Sequence, residues 1–317
     1  MSFSNFKIFS GSSYRSFSFK VASLLNVDLG LLSLGCFPDG EIDLQILEDV
    51  SGKEVFIIQS LAYNPNFYLM ELVLLAETLK KASAKCVVAV IPYLCYTRQD
   101  KADDPRVPAM AKFVASLLAN AGVDRVITMD LHSHQALSFY SIPVEVLSPW
   151  STLSKQINNQ KISNYVVVAP DYGSTFRAYE FASYTNSQVA CIHKQRFSAN
   201  EVKASCLVGD VKGRDVVIVD DICSTASTLI EAASFCNFNG SRKVYAAISH
   251  GLFISDAFDK LERSLFEKFF VCNTVPWKTR RPQLKYSNLA YEEVDVSELF
   301  ACAIFRISNS KSTDMIF

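Results

Sequence analysis

The stretch that most restricts the fold of this chain is residues 215–232, DVVIVDDICSTASTLIEA. It opens with Val216, Val217, Ile218 and Val219, a β-branched run short enough for one strand buried on both faces. Asp220 and Asp221 follow where that strand should end. Then come Ser224, Thr225, Ala226, Ser227 and Thr228, and a helical pattern opens near Leu229. A strand of this kind belongs to a parallel sheet covered by helices, and such sheets bind ligands beyond the carboxyl ends of their strands. A small-residue loop entering a helix offers N–H groups and the positive end of the helix dipole to an anion. Residues 220–228 therefore read as a cradle for a sugar phosphate, with acids for the hydroxyls and the loop for the phosphate. The same letters also fit a buried strand with an acidic exit and an ordinary capped helix. Against that plainer reading, neighbouring side chains on a strand face opposite ways, so two solvated carboxylates gain nothing there.

Elsewhere the chain alternates strand and helix patterns. Strands are expected at 6–9, 31–35, 42–46, 54–59, 86–91, 125–129, 165–169, 189–193, 244–249 and 270–273. Helices are expected after Gly11, Ser12 and Ser13 (read as caps) to about Leu25, over 67–81 and 108–121, from Phe176, and over 297–307 with Ser297 as N-cap. Gly122 reads as the residue that ends the helix before it. Polar clusters recur at strand ends. Phe37, Asp39, Gly40 and Glu41 form an acidic turn. Arg98 and Gln99 lie in a cationic loop, where planar side chains can stack on a purine and Arg can pair with phosphate. Asp130 and His132 follow the strand at 125–129 and share a face if that strand continues. Asp171, Gly173 and Ser174 follow the strand at 165–169. Lys194 and Arg196, two apart, present two cations to one side of an extended segment. Each cluster alone also fits a solvated turn or loop, and His132 equally fits a structural role. Their common placement at carboxyl ends is what favours a binding site.

The chain has 317 residues, enough for two domains of about 150 residues each. The boundary is expected near Pro149, giving domains 1–148 and 149–317, with the last helix free to pack back on the first. A formal net charge of −1 offers no basic field for nucleic acid or an anionic membrane. Nine cysteines without a C-x-x-C pair suggest reduced thiols in a cytoplasmic protein rather than a disulfide frame or zinc site. No apolar run approaches the ~18 residues of a membrane span. No secretory signal is expected in the first 20 residues, which lack a continuous apolar run.

Seven stretches in order resemble the ribose-phosphate pyrophosphokinase family, whose domains are phosphoribosyltransferase-like. They are FPDGEIDLQI (37–46), IPYLCYTRQDK (91–101), AGVDRVITMDLHSHQALSFYSIPVE (121–145), APDYGSTFRA (169–178), IHKQRFSANEV (192–202), VGDVKGRDVVIVDDI (208–222) and FRISN (305–309). The resemblance implies two similar α/β domains, each a mainly parallel sheet flanked by helices. It also implies a homo-oligomer, commonly a hexamer built from dimers, and transfer of diphosphate from MgATP to ribose 5-phosphate. By the same resemblance Phe37, Asp39, Gly40, Glu41, Arg98 and Gln99 contact ATP, the first group from a neighbouring subunit. His132 and Asp171 ligate Mg2+, and Lys194 and Arg196 neutralise the transferring group. Ribose 5-phosphate is held by Arg196, Asp220, Asp221 and the loop Ser224, Thr225, Ala226, Ser227 and Thr228. The family's 5-phosphate loop usually carries two glycines where this chain has Ala226 and Ser227, and a second Gly is common at the place of Ser174. These changes motivate an alternative, a catalytically weak regulatory subunit. A transferase acting on a free base would explain only the Asp220 stretch.

Overall fold

The computed structural model describes residues 6–101, 106–162, 164–195, 204–280 and 289–309, apart from the side chains of 194, 195, 204 and 205. Two compact units emerge, residues 1–148 with 296–317, and residues 149–295.

In the first unit the elements run β1 (Phe6–Ser10), α1 (Arg15–Leu24), β2 (Leu32–Cys36), β3 (Ile42–Ile46), β4 (Glu54–Ile58), α2 (Pro65–Lys81), β5 (Cys86–Ile91), α3 (Met110–Asn120), β6 (Arg125–Met129) and β7 (Val144–Leu147). The runs VFII, VVAVI and VITM are almost fully buried and form the interior of a parallel sheet ordered β1-β4-β5-β6-β7. Because both faces of such strands are covered, they read as continuous apolar runs. α2 starts on Pro65, buries Leu69, Leu72, Ala76 and Leu79 on one face, and carries Lys80 and Lys81 in its last turn, where cations suit the dipole. β2 and β3 form a separate antiparallel hairpin.

The second unit runs α4 (Trp150–Asn159), β8 (Tyr165–Ala169), α5 (Thr175–Ser183), β9 (Gln188–Gln195), β10 (Ala204–Val208), β11 (Asp215–Cys223), α6 (Ser227–Phe238), β12 (Val244–Gly251), α7 (Ala257–Glu262), β13 (Phe266–Cys272) and β14 (Ala290–Val294). α8 (Ser297–Ser308) belongs to the first unit, where Phe300 meets Phe17 of α1 edge-on at 5.5 Å. The second sheet is ordered β10-β9-β8-β11-β12-β13-β14, and only the β9–β10 pair is antiparallel. Both units are therefore mainly parallel sheets flanked by helices, the class expected from the sequence.

Several local expectations need correction. Ser12 and Ser13 do not cap α1, whose N-cap is Tyr14 without a side-chain bond. Both hydroxyls are drawn to buried partners instead: Ser12 donates to Glu71 at 2.6 Å and Ser13 to Gln59 at 2.7 Å. α8 has Val296 at its N-cap, and Ser297 is already helical. Strands β7, β10 and β14 and helices α4 and α7 were not foreseen, and β13 starts four residues earlier than expected, at Phe266.

The end of β12 sets the shape of the second unit's binding edge. Leu252 and Phe253 both donate their N–H to the Cys223 carbonyl, at 2.9 and 3.1 Å, and Ile254 donates to that of Ser224. Phe253 takes a left-handed φ of +42 and packs against Phe258, Phe269, Trp277 and Tyr291. Gly251 makes room for that ring, since a Cβ there would lie 2.5 Å from Phe253 Cε2 and 2.6 Å from Val271 Cγ1. Gly251→Ala should destabilise the protein by about 1–3 kcal/mol through overpacking, read from the denaturant midpoint.

Candidate active site

β11 reaches further than its apolar run suggests. It continues through Asp220 and Asp221 to Cys223, because β12 is also long and keeps pairing with it, Asp220 opposite Ile248 and Cys223 opposite Gly251. The acids therefore sit inside a strand, not beyond its end. On the other side, β8 pairs with β11 only as far as Ile218. The strand order also reverses between β8 and β11, since β8 leads outward to β9 and β11 leads the other way to β12. Such a switch point leaves a crevice at the carboxyl ends, where open α/β sheets bind ligands.

Three carboxylates gather around that crevice. Asp220 and Asp221 are buried. Asp220 Oδ1 accepts the Ser174 hydroxyl at 2.8 Å and the Asp221 N–H at 3.1 Å. Burial pushes the Asp220 carboxyl well above the usual carboxylate range. The Asp221 charge adds to this, the Ser174 hydrogen bond opposes it, and the Asp171 charge raises it further. Asp221 faces Arg177, which is equally buried, with Nη2 to Oδ2 at 3.5 Å. Asp171 caps the short turn Tyr172–Ser174, and its Oδ1 accepts the Ser174 N–H at 3.0 Å. Its carbonyl lies 3.7 Å from Cys191 Sγ, which is itself 3.4 Å from Thr175 Oγ1. The sequence names Ser174 only as part of the turn after Asp171 and does not single out Arg177 or Cys191, although Ser174 and Arg177 both stand in the APDYGSTFRA stretch.

The loop after β11 is shorter than expected. Ser224, Thr225 and Ala226 form it, and Ser227 and Thr228 are the first two residues of α6. Ala226 is the N-cap, with no side-chain cap bond. The first N–H groups of α6 therefore face the crevice end without a partner from within the helix, the usual state of a helix start. Thr225, Ser227 and Thr228 are exposed and Ser224 is half-buried, so several hydroxyls surround those N–H groups. Ala226 is buried and adopts φ +65, a conformation that crowds a Cβ against its own backbone.

Lys194 lies in β9, its backbone paired with Ser205. Arg196 falls outside the described residues.

The first unit carries the remaining candidates. Phe37, Asp39, Gly40 and Glu41 form the tip of the β2–β3 hairpin. The turn closes with the Phe37 N–H on the Glu41 carbonyl at 2.8 Å, and Gly40 supplies φ +94. Phe37 is 50% exposed, and Asp39 and Glu41 are also exposed. Arg98 and Gln99 are exposed in the loop after β5, and the Gln99 backbone is held between Tyr96 and Ala111. His132 is exposed in the segment after β6. β6 stops at Met129, and Asp130 turns to φ +37, so the extended path that would set Asp130 and His132 on one face is broken. Asp130 is buried, whereas His132 is exposed.

Of the two residues assigned to magnesium, the Asp171 carboxylate is the kind of ligand this ion takes, whereas an imidazole such as His132 is an unusual one. Magnesium prefers oxygen and keeps several waters, needing only one or two protein carboxylates. The described contacts of the Asp171 carboxylate all fall on Oδ1, which leaves Oδ2 as an available oxygen.

The Ala226 backbone sets a measurable cost. Ala226→Gly should raise stability by about 0.5–1 kcal/mol, the left-handed penalty relieved less the extra chain entropy of glycine, as measured by chemical unfolding. Arg177→Met should cost about 3–5 kcal/mol in the same measurement, because it removes one partner of a buried ion pair with Asp221.

Comparison with known proteins agrees with this architecture. A model of the N-terminal domain of ribose phosphate pyrophosphokinase matches residues 6–122, and one of the phosphoribosyl synthetase-associated domain matches residues 197–317. Over 312 residues the chain is 38% identical to the ribose-phosphate pyrophosphokinase of Helicobacter hepaticus, covering 98% of this chain and 99% of that one. It is 38% identical over 318 residues to the enzyme of the same name from Nitrosomonas europaea, covering 100% and 99% of the two chains. The crystal structure of phosphoribosylpyrophosphate synthetase from Mycobacterium smegmatis superposes with a TM-score of 0.88 at 31% identity, covering 96% of this chain and 99% of that one. By sequence and by fold, the chain belongs to the ribose-phosphate pyrophosphokinase family.

Proposed function

We propose that this protein moves the diphosphate of MgATP to the anomeric hydroxyl of ribose 5-phosphate, releasing AMP and phosphoribosyl pyrophosphate. The observation that carries this reading is the buried Asp220–Asp221 pair at the switch point, next to a hydroxyl-rich helix start. A ribose presents adjacent hydroxyls to acids and a phosphate to N–H groups, and this arrangement suits both ends of that molecule. Relatives 36–38% identical over nearly their full length carry the pyrophosphokinase name, which disfavours the regulatory-subunit alternative.

In this reading the anomeric oxygen forms a bond to the β-phosphorus and its hydroxyl proton is released to solvent, while the bond from the β-phosphorus to the oxygen bridging it to the α-phosphorus breaks and AMP departs with that oxygen. Such a transfer needs little covalent help. It needs in-line positioning and stabilisation of charge on the phosphoryl oxygens. Asp220 and Asp221 orient the sugar. Ser224, Thr225, Ala226, Ser227 and Thr228 hold the 5-phosphate through hydroxyls and backbone N–H groups. Lys194 and Arg196 place positive charge on the transferring group, and Arg196 also serves the sugar phosphate. Arg98 and Gln99 bind the nucleotide. Phe37, Asp39, Gly40 and Glu41 serve a nucleotide from an exposed hairpin tip, which suits delivery to a neighbouring subunit of a homo-oligomer, a hexamer built from dimers. Mg2+, held by His132 and Asp171, would offset the negative charge of the ATP phosphates. In this reading the boundary near Pro149 separates an ATP side (1–148) from a ribose 5-phosphate side (149–317), with the last helix assigned to the former. A cytoplasmic setting is part of the same reading, supported by nine cysteines that are all free. Among the described residues no helix is long and apolar enough to cross a membrane.

The purified protein should form AMP from MgATP only when ribose 5-phosphate is supplied, and Lys194→Ala should lower that rate by about 100-fold or more. AMP formation indifferent to ribose 5-phosphate would refute the assignment.

A further inference from the structure

Ser174 links two of the acids at the crevice. It is buried, and it donates to two of the three acids at the crevice through two different groups. Its main-chain N–H meets Asp171 Oδ1 at 3.0 Å, and its hydroxyl meets Asp220 Oδ1 at 2.8 Å. The hydroxyl also lies 3.2 Å from Asp171 Oδ1. A hydroxyl has one proton, and Asp171 Oδ1 already receives the amide, so the shorter contact to Asp220 takes it. The Asp221 N–H binds the same Asp220 oxygen. Oδ1 of Asp220 is thus held from two sides, which fixes the orientation of its carboxyl group at the crevice.

We infer that Ser174 is a positioning residue for the sugar: its hydroxyl fixes the Asp220 carboxylate so that one oxygen is directed at a ribose hydroxyl, while its amide independently fixes Asp171. This inference rests on the function proposed above and adds the element that sets which acid oxygen meets the ribose. It has a selective consequence. A side chain without the hydroxyl keeps the amide, so Asp171 retains its contact. Only Asp220 loses a hydrogen bond, one made inside a buried site where no water replaces it cheaply. The Asp220 side of the reaction should suffer alone.

The test compares wild type, Ser174→Ala and Ser174→Cys, the last nearly isosteric and only a weak donor. Ribose 5-phosphate binding is measured by calorimetry without nucleotide or metal. KM for each substrate and kcat are measured at saturating magnesium, and the unfolding midpoint of each variant is recorded. Ser174→Ala should weaken ribose 5-phosphate binding by about tenfold, with a parallel rise in its KM. KM for MgATP should stay within twofold. Ser174→Cys should fall between Ala and wild type, and it carries the same test if the alanine variant does not fold. Equal ribose 5-phosphate affinity in all three proteins, or equal rises in both KM values, would overturn the inference and mark the hydroxyl as structural. AMP formation by the wild type that does not depend on ribose 5-phosphate would instead remove the functional reading on which it rests.

Discussion

Two adjacent carboxylates buried in the middle of a sheet impose the strictest requirement on this molecule. Each buried ion costs several kcal/mol of lost hydration, and like charges side by side add to that cost. A hydrogen bond to a charged group returns about 1.5–3 kcal/mol. Asp220 receives two, from Ser174 and from the Asp221 amide, while Asp221 receives the Arg177 guanidinium. These donors all lie on β11 itself or on the segment from the β8 turn into α5. The turn after β8 must therefore dock against β11 at the level where the β8–β11 ladder has stopped. The crevice and the means of holding its acids arise from the same break in pairing.

The rest of the second unit can be understood as a brace for that strand. Past Ile218, β11 has a ladder partner on one side only, β12. Its final residues are secured by bonds from Leu252, Phe253 and Ile254 to the carbonyls of Cys223 and Ser224. Phe253 then ties those bonds to an aromatic cluster of the β13–β14 side, so the loop preceding α6 is anchored to a packed core. That rigidity explains how Ala226 can be kept at φ +65 without a glycine. A left-handed alanine costs about 1–2 kcal/mol and persists only where surrounding bonds determine the path. The chain thus retains the turn geometry of a glycine loop while lacking its freedom.

Strands buried on both faces were plainly legible, because EVFII, CVVAVI and YVVVA leave little choice between strand and surface. What escaped was decided by partners far away in sequence. β14, AYEEV, has an edge strand's acidic mixture, and only its ladder with β13 makes it a strand. β10 is likewise an edge, recruited by antiparallel pairing with β9. α4 carries a signal, Trp150, Leu153 and Ile157 on one face, but it begins directly after Pro149, where the sequence places a domain boundary. The extension of β11 through its acids was hidden for a related reason. Local letters say that two aspartates end a strand, and only the length of β12 says otherwise.

The serines show why capping residues mislead near a site. Ser12, Ser13 and Ser174 all stand just before helices, where serine hydroxyls commonly serve as caps. Each is drawn instead to a buried acid or amide: Ser12 to Glu71, Ser13 to Gln59, Ser174 to Asp220. A buried carboxylate left without a donor costs more than an uncapped helix, whose exposed N–H groups can still bind water. Where both demands compete for one hydroxyl, the buried acceptor wins. The helix start then keeps its N–H groups unused, and at α6, where Ala226 offers no cap at all, that same economy leaves them available to an anion.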